Sequence, residues 1–155
     1  MTKNKYLSLI FILLITFTAS VIGGLTTTFF KEPWYSEIIL PSFNPPSSVF
    51  APVWTSLYIM MSIAIWRIWI KHSNKNILKI YFIHLIFNSF WSVIFFGFHK
   101  PFFALLDLSI ILFFIIYLTK IYFKLDKISF YLMLPYAIWT SYAFILNLSI
   151  VILNN

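Results

Sequence analysis

Five long apolar runs, separated by short polar turns, make up most of this 155-residue chain. They cover residues 6–30, 49–70, 77–97, 101–123 and 128–153. A helix needs about 20 apolar residues to cross the hydrocarbon core of a bilayer, and each run is long enough. Charged residues form only 10% of the chain, against about 25% in an average soluble domain. The sequence therefore predicts an all-α membrane protein, with a five-transmembrane-helix bundle as a single domain over residues 1–155.

The first apolar run has a second interpretation as a secretory signal peptide. Lys3 and Lys5 would form its basic start, and residues 18–20 (Thr-Ala-Ser) would be an acceptable cleavage site. The apolar run continues past this site to Phe30, where a signal peptide would have ended. This continuation favours a membrane-spanning helix.

A proline-rich stretch from Lys31 to Trp54 joins the first run to the second and holds five of the seven prolines. Proline cannot donate a backbone hydrogen bond, and it pushes the preceding residue away from the helical conformation. We therefore expect an extended, stiff connector, that is, a long Pro/Trp-rich loop between helices 1 and 2. Loops of about 20 residues are uncommon and often act as lids. The Trp and Tyr side chains of this loop favour a packed lid over a plain spacer.

The basic residues are distributed unequally between the two ends of the predicted bundle. Nine lie on the side of the N-terminus and two, Lys31 and Lys100, on the side of the loop. The nine are Lys3, Lys5, Arg67, Lys71, Lys75, Lys79, Lys120, Lys124 and Lys127. Because basic residues are enriched on the cytoplasmic side, this predicts a bacterial cytoplasmic membrane protein with a cytoplasmic N-terminus. The loop at residues 31–50 and the C-terminus would then lie outside.

The net charge of +7 raises the question of a nucleic-acid partner. The basic residues lie at the ends of the apolar runs and do not form a stripe, so we expect membrane lipid as the partner and no nucleic acid. The chain has no Cys, and His72, His84 and His99 fall at different depths of the predicted bundle. We therefore predict no metal site, and no cofactor is required. Motifs of hydrolytic or dinucleotide-dependent enzymes are also absent from the sequence.

Asp107 is the one acidic residue inside a predicted span. An Asp in the middle of a membrane helix costs about 2.5–3.5 kcal/mol on insertion scales. It follows Pro101 by six residues, or roughly 9 Å of helix, which places it in the half nearer the proline-rich loop. We expect its side chain to face the bundle interior, hydrogen-bonded or protonated. A ligand or proton site and a structural hydrogen bond explain it equally well.

Two helical faces combine aromatic, polar and small residues. One carries Asn88, Trp91 and Phe95, at the spacing of one side of a helix. The other consists of Pro135, Trp139, Tyr142, Ala143, Leu146 and Asn147. Such faces usually pack against neighbouring helices, and they can also line a pocket for a flat, largely apolar ligand.

Four blocks of the sequence together resemble the TspO/MBR family of tryptophan-rich sensory proteins and translocator proteins. The first runs from Trp34 to Pro46 (WYSEIILPSFNPP) and is followed by Trp54. The others are Asn88 to Gly97 (NSFWSVIFFG), Pro101 to Asp107 (PFFALLD) and Pro135 to Asn147 (PYAIWTSYAFILN). They occur in order and with matching spacing over nearly the whole chain.

The resemblance implies a five-helix bundle, commonly a homodimer, that binds porphyrins such as protoporphyrin IX. It also implies binding of isoquinoline and benzodiazepine drugs in a pocket beneath the first loop. The matching positions that would line this pocket are Tyr35, Pro45, Trp54, Asn88, Asp107, Trp139 and Ala143. Trp91 and Asn147, on the two helical faces described above, complete the predicted ligand-binding set.

The resemblance leaves several functions open. We expect a tetrapyrrole-binding sensor or receptor that sequesters or moves porphyrin. The alternatives are a light- and oxygen-dependent porphyrin-degrading enzyme and a small-molecule transporter. Family members that degrade porphyrin in light use two pocket tryptophans, which correspond to Trp54 and Trp139, so these two would be catalytic only in a photo-oxidative enzyme. The chain is not expected to be a conventional enzyme.

The chain departs from the family pattern at three points. Phe43 stands where the family often has Trp, and Leu40 stands where a basic residue commonly precedes the first proline of the loop motif. No basic residue follows Lys127, so the C-terminal pattern associated with cholesterol recognition is missing. Sterol binding is therefore not supported by this pattern.

Overall fold

The computed structural model describes residues 4–154, which form six α-helices, one π-helical segment and no strand. The helices are α1 (Lys5–Phe30), α2 (Trp34–Glu37), α3 (Ser47–His72), α4 (Lys75–Ser92), α5 (Pro101–Leu125) and α6 (Lys127–Leu153), with the π-helical segment (Val93–Gly97) continuing α4. Within these residues, five helices are long and apolar enough to cross a membrane: α1, α3, α4 with its π-helical extension, α5 and α6. The predicted fold class, an all-α five-helix membrane protein, is confirmed.

The five long helices form a ring in the order α1, α3, α6, α5, α4. Each packs against its two neighbours in this order, and the α5–α6 contact is the most extensive. Because consecutive long helices run in opposite directions, all the turns fall at the two ends of the bundle. We call the end with Arg67, Lys71 and Lys124 the basic end, and the opposite end, with the proline-rich loop, the loop end.

Large apolar side chains cover the outside of the ring as well as its inside. Phe29, Phe113 and Ile138 are 71%, 65% and 70% exposed, whereas Met61 and Tyr81 are fully buried. A water-soluble protein would not expose so many large apolar residues. The surface of the ring is therefore the surface that faces lipid.

The connector between α1 and α3 differs from the extended chain expected from its prolines. Trp34–Glu37 forms one helical turn, α2, and the next long helix already begins at Ser47. Pro52 lies inside α3, close to its start. It lies beyond the first turn, so the helix lacks the backbone hydrogen bond that another residue at this position would donate to the carbonyl of Ser48.

A cluster of charges that the sequence analysis did not predict joins α3 to the turn between α5 and α6. Asp126, in this turn, accepts hydrogen bonds from Arg67 Nε at 2.8 Å and from Lys71 Nζ at 2.5 Å. It also caps the start of α6, because its Oδ2 atom accepts from the backbone N–H and the hydroxyl of Ser129. The side chain of Asp126 is only 6% exposed. One carboxylate thus fastens three helices at the basic end.

The charge cluster makes stability depend on pH. The hydrogen bond from Arg67, supported by those from Lys71 and Ser129, holds the pKa of Asp126 well below its usual range. A carboxyl group whose pKa falls on folding stabilises the fold above its unfolded pKa, about 3.9, and loses that contribution as the pH drops. The contribution is therefore complete at neutral pH.

We expect Asp126→Asn to lower the free energy of unfolding by about 1–3 kcal/mol at pH 7, because two cations lose their partner while Asn still caps α6. Thermal unfolding in detergent measures this. The difference in Tm from the wild type should shrink as the pH falls below about 4. Glu37→Gln, which removes an exposed carboxylate in α2, is the control and should change little. A difference in Tm that stays constant across this pH range would contradict the role of Asp126.

Candidate functional site

A cavity of about 360 Å³ lies in the loop-end half of the ring, with residues of all five long helices in its wall. This volume falls within the range of small-molecule sites, roughly 300–1,000 Å³. The larger side chains that line it are Tyr35, Phe50, Trp54, Tyr58, Asn88, Trp91, Phe95, Phe96, Leu108, Ile111, Trp139, Leu146, Asn147 and Ile150. The cavity is the candidate functional site.

Aromatic rings form the wall of the cavity on the side of α3, α4 and α6. Trp91 stacks on Phe95 with ring centroids 5.0 Å apart, and Trp139 meets the edge of Phe50 at 6.0 Å. Trp54 lies 5.7 Å from the ring of Tyr58. The wall therefore gathers several aromatic rings around the same space, a composition suited to binding a flat aromatic ligand.

A chain of buried hydrogen bonds that crosses three helices underlies the cavity, and we call it the floor. Tyr58 and Asn88 belong to the cavity lining, and Tyr136 and His84 lie behind them. Tyr58 donates to Asn88 Oδ1 at 2.6 Å, and Asn88 Nδ2 donates to the hydroxyl of Tyr136 at 2.9 Å. The Tyr136 hydroxyl also lies 2.8 Å from Nε2 of His84. The hydroxyl of Tyr136 thus accepts from Asn88 and pairs with the imidazole of His84, so the four side chains form one continuous hydrogen-bonded chain.

The polar groups of the other wall are also bonded within the protein. Trp91 donates its indole N–H to Asn147 Oδ1 at 3.2 Å, and Asn147 Nδ2 donates to the carbonyl of Pro101 at 3.0 Å. Asn147 therefore holds the orientation of Trp91 and ties α4 to the start of α5. The indole nitrogen of Trp139, in contrast, is buried and has no hydrogen-bond partner among the described residues.

The proline-rich loop closes the loop end of the cavity. In α2, Trp34 stacks on His99 with ring centroids 4.6 Å apart, and Tyr35 packs on Phe96 at 5.6 Å. Tyr142 of α6 donates to the carbonyl of Phe43 at 2.6 Å. The amide of Asn154 bonds both the N–H and the C=O of Ile39. These contacts fasten the loop to α6 and to the end of the π-helical segment, as a packed lid requires.

The cavity opens sideways between α1 and α3. The lining residues that are exposed all belong to these two helices: Gly24, Thr28, Ser47, Ala51 and Thr55. They are small, and a Cβ atom added to Gly24 would meet no atom within 4 Å. At Gly23 the corresponding atom would lie 3.1 Å from Ser92 Oγ, so this glycine lets α1 approach α4 closely. We call the opening between α1 and α3 the mouth.

Seven of the nine predicted ligand-binding residues line the cavity: Tyr35, Trp54, Asn88, Trp91, Trp139, Ala143 and Asn147. The other two do not. Pro45 is partly buried within the loop, and Asp107 is 7% exposed on α5, one residue before Leu108, which does line the cavity. The Oδ2 atom of Asp107 has no hydrogen-bond partner among the described residues. The predicted burial of Asp107 is thus observed, and it lies behind the cavity wall.

Sequence reasoning missed Tyr58 and Tyr136, which complete the floor. Tyr58 follows Trp54 by one helical turn, and Tyr136 precedes Trp139 by three residues, so both share a face with a predicted pocket residue. This spacing was the available signal. Lys31 and the small residues of the mouth were also missed, because their place in the site depends on how α1 sits against α3.

A family model described as the TspO/MBR family matches residues 11–153 of the chain. The chain belongs to this family. It is 34% identical to the tryptophan-rich protein TspO of Chlorobaculum tepidum, with 86% of this chain and 89% of the relative covered. It is also 34% identical to the tryptophan-rich sensory protein of Cereibacter sphaeroides, with 92% and 91% covered. The human translocator protein is 29% identical over 74% of this chain and 70% of the relative.

We expect Tyr136→Phe to lower the free energy of unfolding by about 1–3 kcal/mol, because Asn88 and His84 are then buried without the hydroxyl between them. Thermal unfolding in detergent measures the change. Tyr131→Phe is a matched control, since Tyr131 lies on the same helix and is 64% exposed. Equal stability of the two variants would show that the hydrogen bonds of Tyr136 do not stabilise the fold.

Proposed function

We propose that this protein is a membrane receptor that binds a flat tetrapyrrole of the protoporphyrin type in the cavity. The observation that carries the proposal is the cavity itself, with aromatic walls, a hydrogen-bonded floor, a fastened loop above and a mouth at the side. The names of the relatives, a sensory protein and a translocator protein, support a receptor that senses, sequesters or moves its ligand. Isoquinoline and benzodiazepine compounds, which are also aromatic and largely apolar, are proposed to use the same site.

The shape of the cavity favours a ligand that partitions into the bilayer. A macrocycle can lie against the indole faces of Trp54 and Trp139 while one edge extends through the mouth between α1 and α3. The small side chains there leave room for this edge. Stacking on aromatic rings contributes about 0.5–1.5 kcal/mol per ring beyond the apolar area that is buried.

The setting of the protein is part of the proposal. The chain is a multi-pass integral membrane protein. We propose that it lies in a bacterial cytoplasmic membrane with the basic end in the cytoplasm, because the basic residues gather there. Lys3, which was counted among them, falls outside the described residues. The homodimer implied by the family resemblance stays a prediction.

Titration of the purified protein with protoporphyrin IX tests the proposal, and we expect saturable quenching of Trp fluorescence at micromolar concentrations. Ala143→Leu places a larger side chain in the cavity and should weaken binding by about tenfold or more. Ser141→Leu, at an exposed position two residues earlier on α6, is the control and should bind as the wild type does. No saturable quenching in the wild type would overturn the proposal.

Light- and oxygen-dependent breakdown of porphyrin is the second candidate function. The observation that favours it is that Trp54 and Trp139 line the same cavity. An excited porphyrin passes its energy to molecular oxygen, and the singlet oxygen formed can add to an electron-rich ring close by. The two indoles and the macrocycle are then the rings available for oxidation.

The double variant Trp54→Phe, Trp139→Phe separates binding from breakdown, because Phe keeps an aromatic face and removes the indole. We expect bound porphyrin to persist while the light-driven loss of its Soret band slows by at least tenfold. Trp34→Phe, in α2 and outside the cavity lining, is the control. If the double variant bleaches porphyrin as fast as the wild type does, the indoles have no catalytic role.

A further inference from the structure

Lys31 is the only charged residue among the described residues that line the cavity. It stands at the end of α1, at the edge of the mouth that lies under the loop. Its Nζ atom lies 3.1 Å from Ser47 Oγ, 3.5 Å from Glu32 Oε1 and 4.9 Å from the ring centre of Tyr35. The ammonium group thus bridges α1 and the start of α3 across the mouth.

A lysine at the end of a membrane helix usually anchors that helix at the interface with water. Lys31 differs from such an anchor in direction and burial. Its side chain is only 22% exposed and bends over the mouth to Ser47. Its partner Glu32 is 53% exposed, and an exposed ion pair of this kind contributes little to stability because water screens it. The contacts of Lys31 are therefore weak enough for a ligand to replace.

Many of the other polar groups around the cavity are already engaged, and the buried indole N–H of Trp139, which has no partner among the described residues, carries no charge. Asn88 and Asn147 are bonded within the floor and the wall. The hydroxyls of Thr27, Thr28 and Thr55 donate to carbonyls of their own helices. A charged group on a ligand would accordingly find one strong partner, the ammonium of Lys31.

We propose that Lys31 binds a carboxylate of the ligand at the mouth and so selects ligands that carry an acid on one edge of a flat apolar body. The inference rests on the proposed function and names the ligand class for the same cavity. The carboxylate replaces Ser47 and Glu32 as the partner of Nζ. The apolar body enters the cavity beside Trp54, and the acid stays at the edge of the bilayer, where its charge remains hydrated.

Protoporphyrin IX as the free acid and as its dimethyl ester are the probes, because they share one macrocycle and differ in charge. Both are titrated by Trp quenching in the same detergent at pH 7.5, and the result is the ratio of the two Kd values. We expect the wild type to bind the acid about fivefold more tightly than the ester. Lys31→Gln should bring the two Kd values together, and Lys31→Arg should keep them apart.

Lys100→Gln controls for general attraction by the positive loop end, because Lys100 lies at the same end and does not line the cavity. It should keep the wild-type ratio. The inference would be overturned if Lys31→Gln kept the wild-type ratio of the two Kd values. It would also be overturned if Lys100→Gln reduced that ratio as much as Lys31→Gln does. In both cases the proposed receptor function would stand. Equal binding of acid and ester by the wild type would overturn the inference as well, even if Lys31→Gln fails to fold. No saturable binding of either probe would overturn the proposed function and this inference with it.

Discussion

Water is scarce between membrane helices, so a polar side chain there is stabilised when another part of the protein supplies its hydrogen-bond partner. This constraint explains the main contacts between helices. Asp126 gathers Arg67 and Lys71 at the basic end. In the middle of the ring, the Thr16 and Tyr81 hydroxyls lie 2.7 Å apart and join α1 to α4. Above them, the chain from Tyr58 to His84 joins α3, α4 and α6, so polar contacts fix helices that apolar packing alone would leave free to slide in lipid.

The cavity is a consequence of unequal side-chain size around the ring. The walls on α4 and α6 carry large rings, whereas the mouth on α1 and α3 carries Gly24, Ala51 and small hydroxyl residues. Gly23 draws α1 close to α4 at Ser92, and the neighbouring Gly24 leaves the adjoining space open. The side chains of the floor are held by hydrogen bonds to one another, and the loop above is fastened by Tyr142 and Asn154. The mouth is consequently the open side of a site whose other sides are held.

Much of the fold could be predicted from the sequence, since crossing a bilayer imposes length and apolarity on each segment. The helices extend beyond the predicted runs by no more than two residues at either end. Local spacing also brought out the cavity walls on α4 and α6, because residues such as Asn88 and Trp91 share one helical face. The loop was harder to predict. The turn at Trp34–Glu37 and the early start of α3 at Ser47 depend on tertiary packing of aromatic rings that local proline rules do not include.

The sequence by itself determined five apolar helices, a basic end and a loop end, and the aromatic faces that line the cavity. Only the tertiary structure decided the ring order and which polar groups meet. It placed Asp126 between Arg67 and Lys71, Asp107 behind the wall, and Lys31 over the mouth. The physical reason is that the length of a membrane-spanning segment and the residues that share one of its faces are properties of a single helix, so they follow from its own sequence. A hydrogen bond between helices depends on their relative rotation and depth, which contacts far apart in the sequence set together.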